Sequence, residues 1–292
     1  MSDYEELLAK YVAATQRALD GLLENSKLHS TVVEAMRYSI LGVGKRVRAQ
    51  LVLGTCEALC GEMNNSALMA ACAIEMLHCY SLIHDDLPCM DNDDMRRGKP
   101  SCHKRYNEYT ALLAGDALLT EAFGTLSKIE NAEISRSCAA ALAEYSGYCG
   151  MIRGQELDLQ SEGTKIDAKQ LALIHDNKTG ALIKASGIMG AICANAGKED
   201  LRHVEKYCSN VGMVFQIVDD ILDCTSTTGE LGKPVGSDAQ NDKTTFASLY
   251  GVEQSREIAD RLTREAVEEI GNIEGNPSFL QALARALLIR LK

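Results

Sequence analysis

Two segments of this 292-residue chain are apolar on nearly every side of a helix, and they constrain the fold more than any other feature. They cover residues 66–83 and 181–196, which are rich in Ala, Ile, Leu and Met. A helix without a polar face belongs in the middle of a bundle, because on the rim one side would meet water. No stretch alternates with the period of a strand. The sequence therefore predicts an all-α, single-domain bundle of roughly ten or more helices over residues 1–292.

Capping and helix-breaking residues set the expected helix boundaries. Ser2 with Glu5, and Asp167 with Gln170, have the spacing of a capping box. Residues 225–245 are rich in Gly, Thr and Lys and are expected to form a loop. The expected helices are Tyr4 to about Leu23, 45–60, 64–87, 106–128, 133–158, 167–196, 199–224, 246–271 and a last one opening at Asn276-Pro277.

Composition excludes some classes of protein. The net charge of −11 argues against a nucleic-acid or anionic-membrane surface, since both attract excess Lys and Arg. The eleven cysteines are odd in number and form no CxxC pair, which is typical of reduced thiols in a reducing compartment. The N-terminus has no basic-then-apolar signal, and no apolar run approaches the ~20 residues of a membrane span. We therefore expect a cytoplasmic protein without stable membrane insertion.

An acidic cluster follows the first apolar segment, in HDDLPCMDNDDMRRGKP. Asp91 comes six residues after Asp85, which would place it on the far side of a straight helix. Pro88 breaks the helix between them, so that a turn could return Asp91 to Asp85. The five aspartates of the cluster are Asp85, Asp86, Asp91, Asp93 and Asp94.

A second acidic cluster, FQIVDDILD, also ends a helix with an apolar face. Helical spacing puts Gln216, Asp220 and Asp223 on one stripe, with Asp219 at its edge. A solvated acidic surface is the alternative, but aspartates at a helix C-terminus oppose the helix dipole. Carboxylates this close repel by about 1 kcal/mol per pair even in water. Hard divalent cations relieve that repulsion, so the two clusters favour sites for Mg²⁺ or Mn²⁺.

Basic residues flank both acidic clusters in an otherwise acidic chain. A glycine turn that feeds a helix N-terminus, as in GxGKRxR, is a cradle for anions. Each basic run alone is typical of a solvated face, but beside metal-binding carboxylates the runs favour a bound diphosphate. The residues are Lys45 and Arg48 in the first motif, Arg96 and Arg97 in RRGK, and Lys233 and Lys243 after the second cluster.

Two further features admit both a structural and a functional interpretation. His78 lies on the helical stripe of Asp85 and is either a core residue or part of the site. Lys178-Thr179-Gly180 interrupts a long helix, since Thr and Gly both weaken a helix interior. The interruption either packs a glycine against a neighbouring helix or turns a carbonyl and a hydroxyl into a cavity. In the second case they could stabilise a developing cation.

These motifs together resemble the trans-isoprenyl diphosphate synthases, also called polyprenyl synthetases. The resemblance is strongest over residues 40–245 and rests on GKRVR, IEMLHCYSLIHDDLPCMDNDDMRRGKP, KTG, FQIVDDILD and LGKP. It implies the isoprenoid synthase fold with a deep central cavity, a homodimer, and head-to-tail condensation of isopentenyl diphosphate with allylic diphosphates. The implied reaction proceeds by ionisation, condensation and elimination.

The resemblance also implies roles for individual residues. A cluster of three Mg²⁺ ions would be held by Asp85, Asp91 and Asp219, with support from Asp86, Asp220 and Asp223. The allylic diphosphate would contact Arg96, Lys178 and Lys233, and isopentenyl diphosphate would contact Lys45, Arg48, His78 and Arg97. Thr179, Gln216 and the Lys178 carbonyl would face the allylic cation. Ser237 departs from the pattern, because relatives often carry a basic residue there.

Product length is expected to depend on Tyr80 and Ser81, which precede Asp85 by five and four residues. An aromatic residue there, with the four-residue insert between Asp86 and Asp91, resembles bacterial-type farnesyl diphosphate synthases. A geranylgeranyl diphosphate synthase of the same family is the alternative, and Tyr80 could also simply pack between helices.

Three other functions are weaker alternatives. A class I terpene cyclase would not need a second diphosphate site. A regulatory subunit of a heteromeric prenyltransferase would be expected to lose part of an acidic motif, and both are intact. A helical metal-binding protein would not need the paired basic motifs.

Overall fold

The structure is a computed structural model that describes residues 3–24, 30–42, 44–225 and 244–289. These residues are helical apart from turns and one short antiparallel ribbon, as the sequence predicts. The α-helices are α1 Asp3–Glu24, α2 Thr31–Ile40, α3 Val47–Cys60, α4 Asn65–Asp85, α5 Cys102–Arg105, α6 Glu108–Leu126, α7 Ala132–Ser146, α8 Met151–Ser161, α9 Ala168–His175, α10 Ala181–Cys193, α11 Lys198–Thr225, α12 Phe246–Ile270 and α13 Ser278–Ile289. The ribbon pairs β1 Met95–Arg96 with β2 Lys99–Pro100, and a π-helical turn, Asp176–Gly180, joins α9 to α10.

The two apolar segments form the centre of the bundle. Helix α4 packs against α1, α2, α3, α6, α7 and α10, and α10 packs against α3, α4, α7 and α11. Their predicted central position is therefore confirmed. The expectation that no apolar run has membrane-spanning length was wrong, because α4 is long and apolar enough to cross a membrane. Its apolar window is 67% buried inside the bundle, as in the core helix of a soluble protein.

The helix expected over residues 133–158 is in fact two helices, α7 and α8. At the start of α8, a β-carbon on Gly150 would lie 2.0 Å from the carbonyl oxygen of Tyr145, so only glycine allows the chain to turn this tightly. The helix expected to reach residue 196 ends at Cys193, and Asn195 takes a left-handed conformation with φ 55°.

Three short elements have too little periodicity to be predicted from the sequence. They are α2, α5 and the ribbon. The ribbon turns at Arg97 and Gly98, which both have positive φ, at 53° and 74°. Two left-handed residues between two strands are typical of a tight hairpin turn.

The predicted interruption at KTG is confirmed as the π-helical turn Asp176–Gly180. The turn packs closely on its neighbours, since a β-carbon on Gly212 of α11 would lie 3.0 Å from the Gly180 α-carbon. The capping box of Asp167 and Gln170 at the start of α9 is also present, with both reciprocal hydrogen bonds. Ser2, the other predicted cap, lies outside the described residues.

Candidate active site

The chain turns back on itself directly after α4, at the first acidic cluster. The backbone N–H of Asp91 donates a 2.9 Å hydrogen bond to the carbonyl of Asp85, and that of Asn92 donates a 3.1 Å bond to the carbonyl of Leu87. This confirms the predicted turn around Pro88. The two carboxylates expected to bind metal therefore start from neighbouring points of the backbone.

Asp85 lies at one wall of a cavity of about 650 Å³. The pKa of its carboxyl is raised from 3.8 to about 6, mainly by burial and also by the charge of Asp91, while Lys178 and Arg96 oppose the shift. Part of the negative charge at this motif is therefore unfavourable in the protein alone. A divalent cation would relieve it.

Asp86 is turned away from that cavity and is only 2% exposed. It forms a buried ion pair with Arg96, whose Nε donates to Oδ1 at 3.0 Å and to Oδ2 at 3.2 Å. Arg96 also contacts Asp93 at 3.1 Å. This ion pair ties the ribbon to the acidic motif, and the roles of Asp86 beside the metal and of Arg96 beside the diphosphate stay predictions.

The π-helical turn places Lys178 and Thr179 between two cavities. Both residues line the 650 Å³ cavity and also a polar one of about 120 Å³. The Nζ atom of Lys178 lies 2.6 Å from Oδ2 of Asp158 on α8. The Thr179 hydroxyl donates a 2.9 Å hydrogen bond to Oε1 of Gln216 on α11. The turn thus places a cation and a hydroxyl in the walls of both cavities, and the predicted role of the Lys178 carbonyl stays a prediction.

The second acidic motif is connected to the same turn. Nε2 of Gln216 donates a 3.2 Å hydrogen bond to Oδ1 of Asp220, and the backbone N–H of Phe246 donates a 2.9 Å bond to its Oδ2. Asp220 is 3% exposed and lines the 120 Å³ cavity. Both of its carboxylate oxygens accept hydrogen bonds from protein donors, so that it positions α11 against the first residue of α12.

The other two aspartates of the second motif differ in environment. Asp223 is 2% exposed, and within the described part of the chain its buried Oδ1 has no hydrogen-bond partner. A buried carboxylate oxygen without a donor is a suitable ligand for a hard cation. Asp219 is half-buried, and its charge, after that of Glu75, partly offsets the burial that lowers the pKa of the Arg48 guanidinium.

The four residues predicted to hold isopentenyl diphosphate line one cavity of about 470 Å³: Lys45, Arg48, His78 and Arg97. Arg48 and His78 line the 650 Å³ cavity as well, so the two cavities share a wall. Burial lowers the pKa of Arg48 to about 10, which leaves it protonated at neutral pH. Burial, followed by the charges of Arg48 and Arg97, holds the pKa of His78 well below 6.5. His78 is therefore a neutral hydrogen-bonding group beside three cationic ones.

A buried ion pair supports this basic cavity. Arg46, at φ 52°, contacts Glu75 of α4 through Nη1 and Oε2 at 3.2 Å, and Oε1 of Glu75 accepts the Ala49 N–H at 3.2 Å. Arg46 also donates to the carbonyls of Ile40 and Gly42. Arg46 and Glu75 thus form an ion pair in the wall of the basic cavity, which Lys45 and Arg48 also line.

Tyr80 and Ser81 line the 650 Å³ cavity, as the product-length prediction requires. Tyr80 is 7% exposed. The same cavity is also lined by aliphatic side chains from several helices: Leu82, Leu119, Met151, Leu159 and Leu182. A hydrocarbon tail would be shielded from water by these side chains.

Three residues predicted from the sequence cannot be placed, and one residue of the site was not predicted. Lys233, Ser237 and Lys243 lie outside the described residues. Asp158, which pairs with Lys178, was not predicted. Its signal in the sequence is GQELD, in which Gln155 and Asp158 are three residues apart on one face of α8. Both Gln155 and Asp158 line cavities of the site.

The described residues contain no group of three or more His, Cys, Asp or Glu side chains placed to hold a metal ion by themselves. Mg²⁺ usually takes one or two carboxylates and completes its coordination with water and substrate phosphate. The carboxylates at Asp85, Asp91 and Asp223 fit that pattern, because a diphosphate between the motifs would supply the remaining oxygen ligands.

Comparison with known proteins identifies the family. The family model described as polyprenyl synthetase matches residues 29–275. The chain belongs to the polyprenyl synthetase family. It is 42% identical to the heterodimeric geranylgeranyl pyrophosphate synthase large subunit 1, chloroplastic, of Arabidopsis thaliana, over 99% of this chain and 80% of that protein. It is also 42% identical to the geranylgeranyl pyrophosphate synthase, chloroplastic, of Catharanthus roseus, over 99% of this chain and 82% of that protein.

Solved structures of polyprenyl synthetases share the fold. An FPP/GFPP synthase from Zymomonas mobilis superposes with a TM-score of 0.87 at 34% identity, covering 98% of this chain and 99% of its own. A geranyltransferase from Helicobacter pylori, complexed with magnesium and isoprenyl diphosphate, superposes with a TM-score of 0.84 at 35% identity, covering 98% and 97%. The predicted family and isoprenoid synthase fold are confirmed, and the chain is a prenyltransferase.

Proposed function

We propose that this polyprenyl synthetase makes geranylgeranyl diphosphate by repeated condensation of isopentenyl diphosphate with an allylic diphosphate. The observation that carries the proposal is the shared wall of two cavities, one basic and one apolar, at Arg48 and His78. Isopentenyl diphosphate, bound by its diphosphate in the basic cavity, would present its double bond to the allylic carbon of a second substrate held near Asp85. The two plant relatives compared above are both named geranylgeranyl pyrophosphate synthases, which supports the longer product.

The side chains of the site divide the work of the reaction. The allylic C–O bond breaks and its electron pair leaves with the diphosphate. The double bond of isopentenyl diphosphate then forms the new C–C bond, and the resulting cation passes a proton to the departed diphosphate, which regenerates an alkene. The Thr179 hydroxyl and the Gln216 amide, which are hydrogen-bonded to each other, would face the transient allylic cation, and their dipoles would stabilise it. The aliphatic cavity wall excludes water that would trap the cation.

Mg²⁺ is the proposed cofactor, with three ions in the active site and Mn²⁺ as a substitute. Bound Mg²⁺ would neutralise the departing diphosphate and so favour cleavage of the C–O bond. Asp85 and Asp91 would hold ions at one motif, and Asp219 would hold the third with Asp223 nearby. The raised pKa of Asp85 and the unpartnered oxygen of Asp223 support this assignment.

Farnesyl diphosphate is the second candidate product, on the evidence of one residue. Tyr80 lies in the cavity wall five residues before Asp85, where its ring would stop a growing chain. The sequence-based expectation was farnesyl diphosphate, but the names of the two plant relatives favour geranylgeranyl diphosphate.

Product analysis tests the proposal. Purified protein is incubated with isopentenyl and dimethylallyl diphosphates and Mg²⁺, and the alcohols released by phosphatase are identified by chromatography. A mainly twenty-carbon alcohol is expected, and a mainly fifteen-carbon alcohol would favour the farnesyl candidate. Absence of any condensation at saturating Mg²⁺ would overturn both. Reactions without the allylic substrate, or with a chelator, are the controls.

We also propose a homodimer and a cytoplasmic location. Large apolar side chains are exposed on one face of α6, at Tyr109, Leu112 and Leu113, and a second copy would cover them. Leu113→Glu is expected to yield monomers in sedimentation experiments, whereas Leu173→Glu, on a different exposed apolar side chain, should not. A wild-type monomer at all concentrations would contradict the dimer. All eleven cysteines are free thiols in the structure, which supports a reducing compartment.

A further inference from the structure

Tyr80 is held in the cavity wall by a histidine one helical turn further along α4. The rings of Tyr80 and His84 meet edge to face, with centroids 5.6 Å apart and an interplanar angle of 87°. His84 itself lines the same cavity. The position of the Tyr80 ring therefore depends on where His84 is fixed.

His84 is fixed by α6. Its Nε2 lies 3.0 Å from the backbone carbonyl oxygen of Leu112. Because a carbonyl can only accept, Nε2 carries the proton and donates. Asp116 approaches the same nitrogen at 3.9 Å, beyond hydrogen-bond distance. One backbone acceptor thus sets the orientation of the imidazole.

Gly115 makes this arrangement possible. A β-carbon at position 115 would lie 2.1 Å from Nε2 and 2.4 Å from Cδ2 of His84, well inside van der Waals contact. The residue is buried in the interior of α6, where glycine is a poor helix former. The imidazole occupies the space that any other side chain would need.

We propose that His84 and Gly115 are positioning residues that determine product length by holding the Tyr80 ring in the cavity wall. The proposal rests on the proposed chain-elongation activity. The hydrogen bond to Leu112 and the absence of a side chain at Gly115 keep His84 against α6, and the ring contact with His84 keeps Tyr80 in place in the cavity wall. Product length thus depends on a contact between α4 and α6 as well as on the residue that meets the hydrocarbon.

Two substitutions are expected to shift product length in opposite directions. His84→Ala opens space behind Tyr80, so that its ring can withdraw and the share of products longer than the main wild-type product should rise at least twofold. Gly115→Ala forces the imidazole away from α6 towards the cavity, so that shorter products should increase by a similar factor. Gly124→Ala, on the same helix, meets only the flexible Glu121 carboxylate at 3.4 Å and should leave the product unchanged.

A double variant separates a positioning role from a merely structural one. If His84 acts through Tyr80, adding His84→Ala to Tyr80→Ala should change product length no further. An equal additional shift in that background, or unchanged products in both folded single variants, would overturn the proposal. If Gly115→Ala fails to fold, as judged by circular dichroism, His84→Ala and the double variant still test the proposal. Failure of the elongation activity itself would appear as wild-type protein that forms no product.

Discussion

Asp91 donates its backbone N–H to the carbonyl of Asp85 over 2.9 Å, although the two residues are six positions apart. The bond closes a turn that no regular helix could make, and it brings the backbone of Asp91 next to Asp85, which lines the 650 Å³ cavity. Burial, together with the charge of Asp91, disfavours the ionised form of Asp85, and a bound cation would relieve this cost.

Asp85→Asn is expected to stabilise the metal-free protein at alkaline pH. The pKa of Asp85 is raised from 3.8 to about 6, so its ionised form is disfavoured in the fold. The stability linked to the neutral acid is complete below 3.8 and is lost as pH rises through about 6. Unfolding in urea with a chelator should show a gain of up to about 3 kcal/mol at alkaline pH, shrinking towards acidic pH. Asp94→Asn, an exposed carboxylate of the same segment, is the control, and a pH-independent difference would contradict the prediction.

Arg97→Gln should weaken isopentenyl diphosphate binding more than allylic diphosphate binding. Arg97 lines the basic 470 Å³ cavity and is not among the residues that line the apolar one. Loss of a charged hydrogen bond predicts a rise in KM for isopentenyl diphosphate of about 10- to 100-fold. Lys99→Gln, on the second strand of the same ribbon, serves as the charge-matched control. Equal effects on both substrates would show that Arg97 is not confined to one subsite.

Thr179→Val should lower kcat with little change in either KM. The substitution keeps the shape but removes the hydroxyl that bonds to Gln216 and that is proposed to stabilise the allylic cation. Removing one preorganised dipole predicts a fall in kcat of about tenfold or more. Thr179→Ser retains the hydroxyl and should recover most of the rate. A valine variant with wild-type turnover would exclude the hydroxyl from catalysis.

Tyr80→Ala should lengthen the main product, because it removes the ring from the cavity wall. Tyr80→Phe keeps the ring and should leave the product distribution unchanged. Chromatography of the dephosphorylated products checks both. If the alanine variant makes wild-type products, the end of the cavity lies elsewhere.

Gly154→Ala should destabilise the fold and disturb the π-helical turn. A β-carbon there would lie 2.0 Å from the backbone nitrogen of Lys178 and 2.5 Å from its α-carbon. Neither backbone can move freely, so a loss of about 2 kcal/mol or more is expected in thermal or urea unfolding. Gly21→Ala on α1 has no atom within 4 Å of the new methyl and should be neutral or slightly stabilising. Equal stability of the two variants would contradict the close packing of α8 on this turn.

Helical periodicity was enough to predict the bundle and its central helices, and the family resemblance grouped the residues that line the basic cavity. Lys45, Arg48, His78 and Arg97 come from three segments and still line one cavity, since each lies at a helix start, on a helix stripe or on a tight turn whose direction is set locally. The two arginines of RRGK could not be told apart in this way. Arg96 pairs with Asp86 and Arg97 reaches the cavity because Arg97 adopts positive φ, which one-dimensional spacing does not encode.

Contacts between helices were the other features beyond prediction. The pairing of Arg46 with Glu75 and the seat of His84 against Gly115 depend on how closely two helices approach. The break between α7 and α8 depends on backbone clearance at Gly150. Such distances between packed helices are properties of the assembled bundle. In the sequence they are indicated only by isolated glycines or charged residues.

The wide turn Asp176–Gly180 carries one residue more than a regular helix needs over the same rise. Deleting a single residue there would restore an ordinary helical turn and remove the widened backbone that presents Lys178 and Thr179. Lys178 and Thr179 would then leave the space they share with Gln216 and Asp158. A one-residue deletion could thus abolish ionisation of the substrate while removing neither acidic motif.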